Sequence, residues 1–374
     1  MRGPGEALTG GVTVVRDFWE HRHLATDSGR RCHTDPPPRV NSPPARSQRV
    51  ISIGPRERHA LLISVVVPTI RATTLPFTVA AVRAQTWEDW ELLIVAQGDD
   101  ATLAEVCKAA EKEDPRIHYI HLAQRGLSLA KNAGIQAALG DVVAFTDDDC
   151  EPDPEWLERI NQSFAEQPSV GIVAGDTFPG PRSRFRWLST CPATRTIECL
   201  YKPTENNFRA PPGFYYGGAN LAVRRDVFRL VGSFDEYLGP GTDFPAAEDV
   251  DFALRAEERG INMWTRPSIV VRHTYGRRYG LRNFLSHHRG YALGSGALGG
   301  KLKLLDHRLS REWGKRRRRR DVVISSLKNP PRALLERYKG RHIAQATIRY
   351  LAEFELDEKA CSRPKASPTV NAPS

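Results

Sequence analysis

The sequence of 374 residues contains no apolar run approaching the roughly 20 residues that a membrane-spanning helix requires. Its longest apolar stretch, residues 61–67, has the length of a buried strand. The segment before that stretch shows no apolar region followed by a small-residue cleavage site, so no secretory leader is predicted. These absences predict a cytoplasmic protein without a transmembrane segment.

Cysteine pairs and phosphate-binding loops are also missing. The six cysteines form no CxxC pair and no zinc-finger spacing, which weakly favours a reducing compartment. Gly294, Gly296 and Gly299 fit GxGxxG, but they neither follow an early strand nor open a βαβ unit. The Walker A pattern fails at Ser295 and Leu302, where it requires Gly and Ser or Thr. Dinucleotide-binding and P-loop proteins are therefore excluded.

Basic residues are in excess, and the formal net charge is +10. Such a charge favours acidic partners such as nucleotides, nucleic acid or an anionic membrane, without choosing among them. The densest basic run, residues 315–320, would suit peripheral docking at the inner face of the plasma membrane, and a solvated linker is the alternative. No nucleic-acid reader fold accompanies the run, so no specific nucleic-acid partner is expected.

Composition divides the chain into four segments. Residues 1–58 are rich in Gly, Pro, Ser and Arg and predict a disordered arm. Residues 59–300 alternate strand and helix patterns and predict one α/β domain. Residues 301–358 predict a basic helical extension, and residues 359–374 predict a disordered tail.

The α/β domain is predicted to hold a mostly parallel, doubly wound, Rossmann-like sheet flanked by helices. The predicted strands are residues 61–67, 91–96, 116–121, 141–146 and 170–174. The predicted helices are residues 75–85, 100–112, 127–138 and 154–166. Such sheets bind ligands at the carboxyl ends of their strands, so the residues that follow each strand are the first candidates for a site.

The predicted strand at residues 141–146 runs into three carboxylates, Asp147, Asp148 and Asp149. Side chains alternate along an extended backbone, so Asp147 and Asp149 project to one side and Asp148 to the other. Two carboxylates on one side can bind a hard divalent cation, Mn²⁺ or Mg²⁺, which neutralises phosphate charge. A solvated acidic turn is the alternative, and the position after a buried strand disfavours it.

Further candidates for binding a phosphorylated donor follow the neighbouring strands. They are Pro68, Thr69 and Arg71 after the first strand, Gln97 and Asp99 after the second, Arg125, Lys131 and Asn132 around the next helix start, Asp147 and Asp148, and the paired Gly217 and Gly218. Basic groups at a helix start can face phosphates, and glycines permit a close backbone approach. Helix capping, by Asp99 or Asp100, and ordinary packing are the alternatives.

Glu248 and Asp249 open a predicted amphipathic helix. The helix dipole and capping alone normally explain acidic residues in a first turn. Six motifs, including this one, nevertheless occur in an order that resembles the family 2 glycosyltransferases of the GT-A fold. They are V-P-T at 67–69, the block at 125–132, D-D-D at 147–149, G-G-A-N at 217–220, G-S-F-D-E at 232–236 and E-D-V-D at 248–251. Each motif alone is weak, whereas their shared order is specific.

The resemblance implies metal-dependent, inverting sugar transfer from a nucleotide-diphospho-sugar to a hydroxyl acceptor, in synthesis of an envelope polysaccharide, glycolipid or glycoconjugate. Asp147 and Asp149 match the DxD motif for metal and diphosphate. Asp249 matches the catalytic base, with Glu248 as a rival base or an acceptor ligand. His273 resembles a histidine that ligates metal in many GT-A enzymes, with a structural role as the alternative. The Tyr-Gly-rich stretch at residues 287–301 resembles the one that follows the catalytic domain in some members, where it borders the acceptor cleft.

A UDP-sugar is the expected donor, with one departure from the family pattern. Members usually carry an Asp that bonds uracil near the end of the second strand, where this chain has Ala96 and Gln97. Gln97 has a donor and an acceptor for a base edge. The competing function is a catalytically weak, transferase-like protein that binds anionic lipid or nucleic acid through its basic tail. Two other enzyme classes fit less well. Sugar-nucleotide pyrophosphorylases require a Gly-rich loop after the first strand, and dehalogenase-type phosphatases require Thr or Val where this chain has Glu151.

Overall fold

The structure is a computed structural model of the chain, and it describes residues 61–181, 189–211, 214, 216–305 and 330–365. The predicted arm at residues 1–58 and the basic run at residues 315–320 lie outside these residues. The described part is a mixed α/β fold, and every predicted strand and helix of the first half overlaps an observed one. The predicted fold class is confirmed.

The elements follow one another along the chain in strand and helix alternation. The strands are β1 (Ile63–Thr69), β2 (Trp90–Gln97), β3 (Ile117–Leu122), β4 (Val142–Phe145), β5 (Glu151–Pro152), β6 (Val170–Pro179), β7 (Ser189–Thr190), β8 (Cys199–Tyr201), β9 (Leu221–Arg224), β10 (Asn262–His273), β11 (Arg278–Tyr279), β12 (Phe354–Leu356) and β13 (Ser362–Pro364). The helices are α1 (Leu75–Arg83), α2 (Ala101–Glu113), α3 (Leu127–Ala137), α4 (Trp156–Glu166), α5 (Arg225–Val231), α6 (Glu248–Glu258), α7 (Leu281–Leu304) and α8 (Pro330–Glu353).

The main sheet has the strand order β3-β2-β1-β4-β9-β6-β10-β5, and β8 pairs with β10. Strand β1 runs parallel to both β2 and β4, and β2 runs parallel to β3, so their carboxyl ends share one edge. Strand β9 runs antiparallel to β4, with Leu221 opposite Phe145. The residues just before β9 therefore reach the same edge at which β4 ends.

Helices cover both faces of this sheet over two apolar clusters. Val65 and Val67 of β1 face the cluster under α1, α2 and α4, whereas Val66 faces the cluster under α3, α5 and α6. This alternation follows from the two-residue period of a strand. Helix α3 packs so close to the sheet that a Cβ on Gly134 would lie 2.4 Å from Val66 Cγ1. The carboxyl ends of β1, β2 and β4 therefore lie next to the N-termini of the helices that cover the sheet.

The C-terminal part departs from the predicted segments in two ways. Helix α7 runs through residue 300, so the predicted domain boundary there is not a structural break. Residues 359–365, predicted as part of a disordered tail, instead complete the β12–β13 hairpin. Ser362 is buried there and bonds to Asp235, a partner 127 residues away that local composition does not reveal.

The glycine-rich stretch of α7 lets it pack tightly against α8. A Cβ on Gly296 would lie 2.4 Å from the carbonyl oxygen of Ile343, and one on Gly300 would lie 2.9 Å from the Tyr350 ring. Glycine here serves helix packing and not nucleotide binding. Among the residues that the structure describes, no helix is both long enough and apolar enough to cross a membrane.

Candidate active site

Four potential ligand groups meet at the carboxyl end of β4. They belong to Asp147, Asp149, Cys150 and His273, and their ligand atoms all lie within 4.8 Å of one another. The chain continues from the acidic triplet into β5, which pairs with the end of β10 through Val271 and Pro152. This pairing carries His273 to Asp149, although the two residues are 124 positions apart in the sequence.

His273 is oriented by bonds to both ring nitrogens. Its Nδ1 lies 2.9 Å from the carbonyl oxygen of Pro192, and its Nε2 lies 2.7 Å from Asp149 Oδ1. A carbonyl on the far nitrogen is the usual way in which a protein fixes a metal-binding imidazole. Burial would lower the pKa of His273, but the neighbouring Cys150 and Asp149 outweigh it and raise that pKa well above its ordinary value.

Two arginines converge on the same carboxylate. Arg71 and Arg278 each place a guanidinium nitrogen 2.9 Å from Asp149 Oδ2. Burial would raise the pKa of Asp149, but His273 and the arginines hold it far below its ordinary value. Burial and the charge of Asp149 raise the pKa of Asp147. Asp149 is therefore the strongest anion of the cluster.

Asp148 points away from this cluster, as the strand alternation predicts. Its Oδ2 accepts a hydrogen bond from Thr69 Oγ1 at 2.7 Å, and its carboxylate pairs with Arg71. The Asp148 side chain is buried, and through these two contacts it links the end of β1 to the end of β4. Thr69, Arg71 and Asp148 thus form the floor beneath the two outward carboxylates.

The donor set at this edge fits a divalent cation. Two carboxylates and one imidazole are groups that Mn²⁺ accepts, and Mg²⁺ takes the oxygens readily. The three aspartates are balanced by Arg71, Arg278 and a protonated His273, so a cation would bind here by displacing the imidazole proton. Arg278 was not identified from the sequence, because β11 has only two residues and lies among other arginines without a pattern.

The opposite wall of the site is the start of α6. Asp249 Oδ2 accepts a hydrogen bond from the backbone N of Gly218 at 2.9 Å, and its Oδ1 accepts one from Val250 at 2.8 Å. Burial, together with the charge of the adjacent Glu248, raises the pKa of Asp249 to about 6. Ala247, just before the helix, has a left-handed backbone with φ of 78°. A carboxylate with a raised pKa is the kind of group that exchanges protons near neutral pH.

Both acidic groups face one cavity of about 420 Å³. Asp147 and His273 line one side, and Glu248 and Asp249 line another. Helix α7 contributes a third wall with Ser286, His287, Gly290, Tyr291, Ser295 and Leu298. Burial and the charge of Asp249 raise the pKa of Tyr291, so its phenol stays protonated. A metal-binding edge and a proton acceptor are therefore accessible to one bound molecule.

The wall of this cavity leaves no room for a side chain at either of the paired glycines. A Cβ on Gly218 would lie 2.8 Å from Lys131 Nζ, and one on Gly217 would lie 2.5 Å from Thr194 Oγ1. Lys131 is buried and its Nζ lies 3.3 Å from Glu248 Oε1. The predicted phosphate-facing lysine thus pairs with the acidic start of α6.

Two predicted donor-binding residues, Gln97 and Asn132, make hydrogen bonds within the fold. Gln97 Oε1 accepts a hydrogen bond from the backbone N of Gly126 at 2.7 Å and so anchors the loop before α3. Asn132 exchanges two hydrogen bonds with the backbone of Phe234, at 3.0 and 2.9 Å. These contacts are long-range in sequence, and therefore the sequence alone could not assign them.

The remaining predicted donor-binding residues lie in or near the carboxyl ends of β1 and β2. Asp100 is the N-cap of α2 and accepts from Leu103 N at 3.1 Å, which resolves the capping alternative in favour of Asp100. Asp99 is 84 % exposed and lies 3.3 Å from His121. The Arg125 guanidinium lies against Gly98, where a Cβ would approach its Nε to 3.0 Å. Pro68 lies inside the buried strand β1.

The chain is similar to known glycosyltransferases. The family model for glycosyl transferase family 2 matches residues 64–232. A solved structure of the mannosyltransferase PcManGT from Pyrobaculum calidifontis, in complex with GDP-Man and Mn²⁺, has the same fold with a TM-score of 0.51. That match is 17 % identical and covers 79 % of this chain and 86 % of the other.

Curated relatives are also glycosyltransferases. A glucosyl-dolichyl phosphate glucuronosyltransferase of Haloferax volcanii is 29 % identical over 53 % of this chain and 64 % of its own length. The uncharacterized glycosyltransferase EpsJ of Bacillus subtilis is 34 % identical over 52 % of this chain and 56 % of its own. A pre-mycofactocin glycosyltransferase of Mycobacterium tuberculosis is 30 % identical over 46 % and 34 %. The chain therefore spans less than two thirds of these relatives.

The fold is of the GT-A type, and residues 64–232 match the model for glycosyl transferase family 2. The resemblance stated from six ordered motifs is confirmed.

Proposed function

We propose that this protein transfers a sugar, with inversion, from a nucleotide-diphospho-sugar to a hydroxyl acceptor in a metal-dependent reaction. One observation carries the proposal: the Asp147 and His273 edge and the Asp249 carboxylate line the same cavity. Direct displacement at a sugar needs a site for the leaving diphosphate and a base for the acceptor hydroxyl, both next to the same sugar. This cavity offers both.

The donor side is assigned to the end of β4. Asp147, Asp149 and His273 would hold the divalent cation, Mn²⁺ or Mg²⁺. Such a cation, when bound, neutralises the charge of the departing diphosphate. Arg71 and Arg278 are only partly buried, at 35 % and 42 % side-chain exposure, and both reach Asp149. Their guanidiniums can donate to phosphate oxygens at the same edge.

The acceptor side is assigned to α6 and α7. Asp249 takes the proton of the acceptor hydroxyl while that oxygen bonds to the anomeric carbon and the bond to the diphosphate breaks. A pKa of about 6 leaves Asp249 ionised at neutral pH and still basic enough for this role. General-base assistance of this kind contributes about 10²- to 10⁴-fold. Glu248 is paired with Lys131, which favours Asp249 as the base.

The donor nucleotide and the acceptor belong to the same proposal. A UDP-sugar is expected from the family pattern, and the PcManGT complex with GDP-Man makes a GDP-sugar the second candidate. The relative that acts on glucosyl-dolichyl phosphate supports a lipid-linked or envelope acceptor. Peripheral association with an anionic membrane at its cytoplasmic face is assigned to residues 315–320, which lie outside the described residues.

The test is nucleotide release from UDP-, GDP- and dTDP-sugars with Mn²⁺, with Mg²⁺ and with chelator. Asp149→Ala is expected to weaken metal and donor binding, whereas Asp249→Asn is expected to lower turnover with little change in donor binding. Asp243→Asn serves as the control, because Asp243 is exposed and pairs only at the surface with Arg349.

Equal activity of all four proteins would refute the site assignment. No turnover of any nucleotide-sugar by the unaltered protein would favour the competing function. That function is a transferase-like protein that binds anionic lipid or nucleic acid through its basic run, with a steep dependence on salt.

A further inference from the structure

Cys150 adds a sulfur atom to the cluster at the end of β4. Its Sγ lies within 4.8 Å of the ligand atoms of Asp147, Asp149 and His273. Thr78 Oγ1 donates to the Cys150 carbonyl at 2.7 Å and fixes the turn that carries the thiol. The proposed sugar transfer uses only the oxygens and the imidazole, so the thiol has no part in it.

The four groups together favour other metal ions than the two carboxylates and the imidazole do without the thiol. Mg²⁺ and Mn²⁺ favour carboxylate and water oxygens, whereas thiolate sulfur selects softer ions such as Zn²⁺. Two carboxylates, an imidazole and a thiolate can supply the four ligands that Zn²⁺ takes in a closed tetrahedral site. The same donors also bind Zn²⁺ more tightly than Mn²⁺ in the general order of divalent ions.

We propose that Cys150 gives this site a second metal-binding mode, in which Zn²⁺ or another thiophilic cation binds to Cys150, His273 and the carboxylates and displaces the cation of sugar transfer. On binding, the S–H bond is replaced by an S–metal bond and the proton passes to solvent. An ion enclosed by four protein ligands has no open position for diphosphate, so this mode is inhibitory. The inhibition rests on the proposed function, whereas the binding does not.

The binding is tested with Co²⁺, which reports sulfur ligation through a thiolate-to-metal absorbance band. The full chain is titrated with Co²⁺, and then with Zn²⁺ to displace it. The unaltered protein and Cys107→Ser are expected to show the band at one equivalent, because Cys107 is a buried residue of α2 and does not belong to the cluster. Cys150→Ser and Cys150→Ala are expected to lack the band while keeping the circular dichroism spectrum of the fold.

Cys191→Ser is the matched control, since its Sγ lies 3.7 Å from the His273 carbonyl but its thiol is not one of the four clustered ligands. It is expected to keep the band. A band that is absent in the unaltered protein, or retained in both Cys150 variants, would overturn the proposal. Loss of the band in Cys191→Ser alone would do so as well.

The second arm measures Zn²⁺ inhibition of Mn²⁺-supported nucleotide release. The Zn²⁺ concentration for half inhibition is expected to rise at least about tenfold in Cys150→Ser, since even outer partners of a metal ligand change affinity by that factor. Unchanged inhibition would overturn the inhibitory role. An inactive unaltered protein would overturn the proposed function, while the cobalt band would still decide the binding.

A second inference starts from buried charges behind α6. Lys301 of α7 places its Nζ 2.6 Å from Asp235 and 2.6 Å from Asp251, and Arg255 lies 2.9 Å from Asp251. Ser362 of β13 donates to Asp235 from its backbone N at 2.9 Å and also from its hydroxyl. All five residues are buried. Asp251 is two residues beyond Asp249 on the same helix.

We infer that Lys301 and Ser362 are positioning residues that fix α6, and with it Asp249, against the cavity. Neither residue lines the cavity, so each acts through the helix. A buried ion group of this kind resists displacement, because moving one member leaves another charge uncompensated. This inference rests on the proposed function.

Ser362→Ala tests the inference with Arg363→Ala as the control, since Arg363 is the exposed neighbour on β13. Ser362→Ala is expected to lower kcat about tenfold with an unchanged KM for the donor, as misplacement of a catalytic group does. The acidic limb of its pH–rate profile is expected to shift, and Arg363→Ala is expected to match the unaltered protein. A Ser362→Ala protein with an unchanged kcat and pH profile would overturn this inference while leaving the proposed function intact.

Discussion

Lys131 and Glu248 are paired inside the protein, with Nζ 3.3 Å from Oε1 and both side chains buried. The Lys131 ammonium also lies 4.9 Å from the centre of the Phe234 ring. Lys131 thus compensates the charge of Glu248, one of the two adjacent carboxylates. Asp249, the other member, keeps a raised pKa and the proposed role of base.

Lys131→Met is expected to raise the pKa of Asp249 above about 6, because burial and Glu248 raise that pKa and Lys131 opposes them. Activity should therefore fall more at pH 6 than at pH 8, and kcat/KM measured across this range checks it. Lys112→Met, an exposed substitution on α2, is the control. A Lys131→Met profile parallel to that of the unaltered protein would contradict this interpretation.

Asp249→Asn is expected to lower kcat about 10²- to 10⁴-fold and to remove the acidic limb of the pH–rate profile. The unaltered enzyme should gain activity as pH rises through about 6, because Asp249 loses its proton there. Steady-state rates between pH 5 and pH 8 test both statements. An Asn variant that retains the limb would assign the base to another group.

The same substitution should stabilise the fold at neutral pH. The pKa of Asp249 is raised on folding from 3.8 to about 6, so the native state binds more protons between these values. Stability is therefore lost as pH rises through this window, by about 1 kcal/mol or more. Asn carries no charge, so Asp249→Asn avoids this loss. Urea unfolding should show a larger free energy of unfolding for Asp249→Asn than for the unaltered protein at pH 7 but not at pH 4.

Arg278→Gln is expected to raise KM for the nucleotide-sugar about tenfold, since a charged hydrogen bond to phosphate contributes about 1.5 kcal/mol or more. The KM for the acceptor should change little. Arg272→Gln is the matched control, because Arg272 pairs with Asp153 at 2.9 Å, away from Asp149. Equal donor KM values in the two variants would remove Arg278 from the donor site.

Ala247→Gly is expected to stabilise the protein by about 0.5 to 1 kcal/mol, because Ala is strained at a φ of 78° and Gly is not. Ala253→Gly, in the interior of α6, is expected to destabilise by about 1 kcal/mol. Denaturant unfolding of both proteins provides the comparison. Destabilisation of both would show that the Ala247 side chain contributes more by packing than its backbone costs.

The strands and helices from β1 to α4 could be predicted, because each helix shows helical spacing of its apolar residues and each strand is a continuous run of apolar residues. The acidic triplet was placed correctly for the same reason, since a buried strand leads directly into it. Lys131 was interpreted as a phosphate ligand, and its partner Glu248 lies 117 residues away, where no local pattern reaches. Arg278 and the β12–β13 hairpin were missed because two- and three-residue strands have no period to detect.

The β13 hairpin sets an order of events during translation. The proposed donor edge is assembled from β1 to β11, whereas Asp235 receives its last partner among the described residues only when Ser362 emerges from the ribosome. We expect a nascent chain to fold its proposed donor-binding edge well before α6, which carries the proposed base Asp249, is held in place. Fragments released during synthesis would then carry an acidic metal edge without competent chemistry, and nucleotide-sugar would not be consumed by unfinished copies.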